Sequence, residues 1–160
     1  MTIAKFTHVS EKQYREAMAE AVAPMEVGDI PLPRRATAGS AGYDFTSPLT
    51  VHLAPGGEAL IPTGVRAEME AGWVLMLFPR SGLGIRTGIR LMNTVGIIDS
   101  DYAFAENEGH IMVRLRNPSA EEVTIRKGDR FCQGVFLPYG TAEETEKPGR
   151  RQGGFGSTGN

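Results

Sequence analysis

His110-Ile111-Met112-Val113-Arg114-Leu115-Arg116 alternates apolar with mostly polar residues at a period of two. An extended chain turns successive side chains to opposite faces, so Ile111, Val113 and Leu115 share one face. Val123 and Ile125 alternate likewise, and Trp73-Val74-Leu75-Met76-Leu77-Phe78 is a continuous apolar run of strand length. The stretch from Phe131 to Leu137 reads as another buried strand. Val51-His52-Leu53 and Leu60-Ile61 flank a turn at Pro55-Gly56-Gly57, and Ala41-Gly42-Tyr43-Asp44 stands at the start of a further strand. The chain holds 20 Gly and 10 Pro in 160 residues, which favours many turns over long helices. Regular short strands with turn signals predict an all-β sandwich or barrel.

The N-terminal segment is the exception. Ser10 followed by Gln13 fits a capping box, and Tyr14, Met18 and Val22 form one helical stripe that Pro24 ends. The organisation expected is an N-terminal extension with a short helix over 1–30, a β domain over 31–140 and a C-terminal arm over 141–160.

The net charge of −2 carries none of the basic excess of a duplex-binding protein, so no nucleic-acid partner is expected. No signal peptide or membrane span is visible, and the expected setting is the cytoplasm, without a membrane partner. One cysteine, Cys132, excludes an internal disulfide and reads as a buried core thiol.

Several stretches carry groups suited to anion and base recognition. Pro79-Arg80-Ser81-Gly82-Leu83-Gly84 follows the strand 73–78. Glycine lets backbone N–H groups converge on phosphate oxygens, Arg80 adds a bidentate cation and Ser81 a hydroxyl. By itself the stretch also fits an ordinary turn. Asn93-Thr94-Val95-Gly96-Ile97-Ile98-Asp99-Ser100-Asp101-Tyr102 reads as a hairpin. There Asn93 offers an amide to a base edge, Asp99 a carboxylate to a water, and Tyr102 a ring face to a sugar. Lys127-Gly128-Asp129-Arg130-Phe131-Cys132-Gln133 is a turn into a strand, with Gln133 a candidate phosphate or amide partner. The tail Gly153-Gly154-Phe155-Gly156-Ser157-Thr158-Gly159 reads either as a disordered terminus or as an arm. As an arm, it would close Phe155 over a stacked base, with Arg150 and Arg151 just upstream.

In this order and at these spacings the stretches resemble the motifs of the trimeric dUTP pyrophosphatases (dUTPases), from about Pro33 to Gly159. Ala41 to Asp44 resembles the first motif, Pro79 to Gly84 the second, Asn93 to Tyr102 the third, Gly128 to Gln133 the fourth and Gly153 to Gly159 the fifth. The resemblance implies a jelly-roll-like β-barrel with a flexible glycine-rich arm, assembled as a homotrimer with active sites shared between subunits. It implies hydrolysis of dUTP to dUMP and pyrophosphate, limiting uracil incorporation into DNA. Asp99 is then the catalytic base. Asn93, with the backbone of Gly96 and Ile98, reads uracil, and Tyr102 packs against the deoxyribose. Arg80, Ser81, Gly82 and Gln133 hold phosphates. Phe155 and Gly156 close over the base, while Arg150 and Ser157 reach the distal phosphates. Asp44 holds, through water, a Mg²⁺ carried by the triphosphate.

Two departures stand out. Ala103-Phe104-Ala105-Glu106-Asn107-Glu108 separates Tyr102 from Gly109, where the family has a single residue. Arg150-Arg151-Gln152-Gly153 replaces the usual Arg-Gly, which leaves Arg150 and Arg151 both open as the phosphate ligand. Two competing readings are a dCTP deaminase of the same fold and a non-enzymatic nucleotide-responsive binder. The deaminase needs a glutamate where this chain has Arg114.

Overall fold

The computed structural model describes residues 2–143, so Arg150, Phe155, Gly156 and Ser157 lie outside the described residues. The chain order runs β1 (Ala4–His8), α1 (Glu11–Ala17), β2 (Arg34–Arg35), β3 (Tyr43–Thr46), β4 (Val51–Leu53), β5 (Glu58–Pro62), β6 (Val65–Met69) and β7 (Trp73–Pro79). It continues with α2 (Ser81–Thr87), β8 (Arg90–Leu91), β9 (Gly96–Ile98), a 3-10 turn at Tyr102–Phe104, β10 (Met112–Arg116), β11 (Val123–Ile125) and β12 (Arg130–Pro138).

The strands fall into sheets of order β2-β3-β12-β7-β9, β5-β10-β8, β1-β6 and β11-β4, antiparallel throughout. The all-β, jelly-roll-like expectation holds, although the described sheets do not close into one barrel. In β10 the alternation works as its pattern implies. Ile111, Val113 and Leu115 are buried and Arg114 and Arg116 are exposed. Phe45, Leu53, Ile61, Leu75, Leu77, Ile125 and Phe131 belong to the same core. Cys132 is buried among them, and burial pushes its thiol far above the ordinary range, so it is packing and not a nucleophile.

Three local expectations change. The helix stops at its C-cap Met18, short of Pro24, and Val22 is 89% exposed rather than part of the apolar stripe. The Ser10 hydroxyl does accept the Gln13 N–H at 3.1 Å, but the Ser10 N–H is taken by Glu108 at 2.7 Å and not by Gln13. Stretch 93–102 is not a hairpin of paired strands. β8 pairs with β10 and β9 with β7, so the turn between them carries the chain from one sheet to another. The glycine turn after Pro79 is the helix α2, which ends at Gly88 with φ +73. Two interior glycines cost a helix about 1 kcal/mol each. Leu83, packed on the core, supplies a tertiary contact that propensity does not show.

His110 is fully buried, and its Nε2 accepts the Gly64 N–H at 2.9 Å. Protonating Nε2 would set a donor against a donor. Burial lowers its pKa from 6.5 to about 4, with a smaller opposing pull from Glu108. The unfolded chain therefore binds the proton first as pH falls, so this contribution is complete above pH 6.5 and is lost between pH 6.5 and about 4. Glu108, held low by its hydrogen bonds to Ser10, loses its contribution further down. Unfolding free energies from denaturant titrations across this range are expected to fall, by up to about 3 kcal/mol from His110. His110→Gln, which keeps an acceptor for Gly64, is expected to flatten the slope between pH 6.5 and 4.

Candidate active site

β12 pairs with β3 on one side and with β7 on the other. The register sets Gln133 opposite both Asp44 and Phe78, which lines up one row across three strands. The ladder shifts between Arg130 and Cys132, and this irregularity sits beside Asp44. Arg80 follows β7 directly, its N–H bonded to the Phe131 carbonyl at 3.2 Å.

These placements converge on one carboxylate. Arg80 Nε meets Asp44 Oδ1 at 3.2 Å, and Arg130 Nη1 meets Oδ2 at 3.1 Å. The Asp44 side chain is only 10% exposed, so both pairs are poorly screened on the carboxylate side. Gln133 donates to the Pro79 carbonyl at 3.3 Å. Ser81 and Gly82 open α2 and are exposed, and a first helical turn leaves its N–H groups without helical acceptors. Arg80, Ser81, Gly82, Gln133 and Asp44 are thus brought together. Arg130, which completes the group, was passed over in the sequence reading, although it lies within the quoted stretch Lys127 to Gln133.

The second group stands on the other edge of β7. A cavity of about 100 Å³ is lined by Leu77, Leu91, Met92, Asn93, Gly96, Ile98, Met112, Val113 and Arg114. Its walls are mostly apolar, with Asn93 and Arg114 as the polar members. The turn entering β9 is tight: Thr94 has φ +66, and the Val95 N–H reaches the Asn93 carbonyl at 2.6 Å. Asp99 leaves the end of β9 exposed to solvent, and its carbonyl accepts the Tyr102 N–H at 3.1 Å. Tyr102 departs from the open ring face expected of it, being 2% exposed. Its hydroxyl donates to the His110 carbonyl at 2.9 Å and accepts from Asn107 at 2.8 Å. It stands as a fixed wall behind the surface.

For a metal, the donor set is informative. No group of three or more His, Cys, Asp or Glu occurs among the described residues, so a protein cage for a cation is not built there. Asp44 is a single carboxylate with two lone-pair directions used by arginines and others left over. That fits a contact through water to a hard cation held mainly by phosphate, the preference of Mg²⁺.

Residues 28–159 match the family model described as dUTPase. A deoxyuridine 5'-triphosphate nucleotidohydrolase of Lactococcus lactis subsp. lactis is 46% identical over 143 residues, covering 88% of this chain and 95% of the relative. The crystal structure of a dUTPase from Streptococcus mutans superposes with a TM-score of 0.68 at 34% identity, covering 87% of this chain and 98% of the other. A mutant dUTPase from phage phi11 of S. aureus, described for coordination of a structural Mg(II) ion, has a TM-score of 0.68 at 22% identity. It covers 91% of this chain and 97% of that one, a likeness of fold alone.

Glycine at position 42 is required by a close approach. A Cβ there would stand 2.5 Å from Gln133 Oε1, the far end of a flexible side chain. Gly42→Ala is therefore expected to displace Gln133 without unfolding the chain. Thermal melts should shift by less than about 1 kcal/mol in stability, while KM for the nucleotide rises.

Proposed function

The chain belongs to the dUTPase family and hydrolyses dUTP, and from that premise we propose how its own residues do so, releasing dUMP and pyrophosphate. The observation that carries the assignment is the cavity lined by Asn93 and by Gly96 and Ile98 of β9, the strand that Asp99 directly follows. At about 100 Å³ it is well below the ~300 Å³ of a drug-sized site, so it takes a ring and leaves the rest of a nucleotide outside. The Asn93 amide and the backbone of Gly96 and Ile98 read the polar edge of uracil. Tyr102, held as a rigid wall, bounds the sugar side against a 2′-hydroxyl.

Asp99 orients a water and takes its proton as the water attacks the α-phosphorus. Its exposure at a strand end, next to the base cavity, supports this role. Arg80, Ser81 and Gly82 bind the phosphates, and Gln133 assists them. Positioning and charge neutralisation, more than covalent chemistry, lower the barrier to phosphoryl transfer. A Mg²⁺ carried by the triphosphate supplies charge neutralisation when bound, and Asp44 is the residue that would hold its waters. Arg150, Phe155, Gly156 and Ser157 complete the site as a closing arm in this reading.

The protein is further proposed to act in the cytoplasm as a homotrimer with shared sites. Ile85 in α2 and Phe104 after Tyr102 support subunit contact, being 85% and 80% exposed in the single chain. The deaminase reading is disfavoured by Arg114, which lines the base cavity. A guanidinium stays protonated and cannot shuttle the proton that deamination needs.

Asp99→Asn is expected to bind a non-hydrolysable dUTP analogue as the parent does while turnover falls by about 10²- to 10⁴-fold. Calorimetry and pyrophosphate release measure the two. Turnover near the parent's would remove Asp99 from the base role.

A further inference from the structure

Stretch 103–108, which stands where the usual family pattern has a single residue, folds back on Tyr102. The Asn107 amide N–H donates to the Tyr102 hydroxyl at 2.8 Å, and the Asn107 carbonyl oxygen accepts the Gly109 N–H at 3.2 Å. Gly109 has φ +71, and a Cβ there would stand 2.6 Å from Ala103 Cα and 2.7 Å from the Tyr102 carbonyl. The loop is therefore closed tightly against the residue it follows. Its far end is anchored elsewhere in the chain. Glu108 accepts from the Ser10 N–H at 2.7 Å and from the Ser10 hydroxyl at 2.6 Å, which ties the loop to the cap of α1. On the other side Tyr102 reaches the Asp99 turn through its N–H. One hydrogen-bonded path runs from α1 through Glu108, Asn107 and Tyr102 to the strand end that carries Asp99.

We propose that Asn107 is a positioning residue for sugar selection: its side-chain amide holds the Tyr102 hydroxyl and so fixes the wall that excludes a 2′-hydroxyl. The inference rests on the reading of Tyr102 as that wall. The Tyr102 hydroxyl gives its proton to the His110 carbonyl, so only a donor can satisfy its remaining side, and Asn107 is that donor. Asn107→Asp perturbs this contact, since the Tyr102 hydroxyl can meet a carboxylate only by turning its proton away from the His110 carbonyl. It keeps an acceptor for Gly109 and replaces the donor facing Tyr102 with a negative oxygen.

The test compares kcat and KM for dUTP and UTP in the parent, Asn107→Asp, Asn107→Ala, Tyr102→Phe and the Asn107→Asp/Tyr102→Phe double variant, with thermal melts of each. The dUTP-over-UTP preference of Asn107→Asp is expected to fall about five- to tenfold, carried by KM more than kcat. In the Tyr102→Phe background the same substitution should change the preference less than about twofold. A preference unchanged in folded Asn107→Asp or Asn107→Ala overturns the inference, as does an equal loss with and without the Tyr102 hydroxyl. Should Asn107→Asp fail to fold, the Asn107→Ala arm and its own pairing with Tyr102→Phe decide the point. A parent with no preference for dUTP over UTP instead overturns the sugar reading of Tyr102, and the inference with it.

Discussion

A single carboxylate, Asp44, bridges two arginines that come from different parts of the chain. Arg80 stands at the end of β7 and Arg130 at the start of β12, and each meets one Asp44 oxygen. Burying a carboxylate this deeply costs several kcal/mol unless it is paired and hydrogen-bonded. The two guanidinium groups meet that cost, and in return the carboxylate fixes where they point. In the proposed site a phosphate would then meet Arg80 already oriented, in place of a long side chain that must be ordered on binding.

The bridge is possible only because β12 lies between β3 and β7. Its register sets Gln133 in one row with Asp44 and Phe78, and β7 then runs directly into Arg80. On its other edge β7 pairs with β9, where Leu77 and Gly96 help to line the small cavity proposed to take the base. One strand thus leads into Arg80 at its end and lines the cavity along its side, the places proposed for the phosphates and the base. Asp99, proposed as the catalytic base, directly follows β9, and its carbonyl accepts the Tyr102 N–H.

The strands with a clear apolar rhythm were legible in the sequence. β10, β11, β7 and β12 follow from alternation or from short apolar runs, because burial on one or both faces imposes those patterns. β6 alternates too, at Val65, Ala67 and Met69, and its period was there to be read. β1 gives a weaker signal, since Lys5 and Thr7 sit among partly buried neighbours and its partner lies far along the chain. The motifs singled out Arg80, Asn93 and Asp99 through resemblance, and the fold sets Arg80 against Asp44, Asn93 on the small cavity and Asp99 just past β9. Arg130 escaped because its value depends on a ladder shift beside Asp44. The work of stretch 103–108 was invisible for the same reason: Ser10 and Glu108 meet only after the chain folds. Tyr102 was expected to be open, and the loop that buries it is the part of the chain that departs from the family pattern.

The central claim is that Asp44, besides its proposed place at the waters of Mg²⁺, sets the position of Arg80, the arginine proposed to bind phosphate. A double-mutant cycle on Asp44→Asn and Arg80→Gln, read in kcat/KM for dUTP, tests it most directly. If the claim holds, Asp44→Asn costs less in kcat/KM once Arg80 is gone than it does in the parent, with a coupling above about 0.5 kcal/mol. Effects that simply add, with Asp44→Asn equally damaging in both backgrounds, would contradict it.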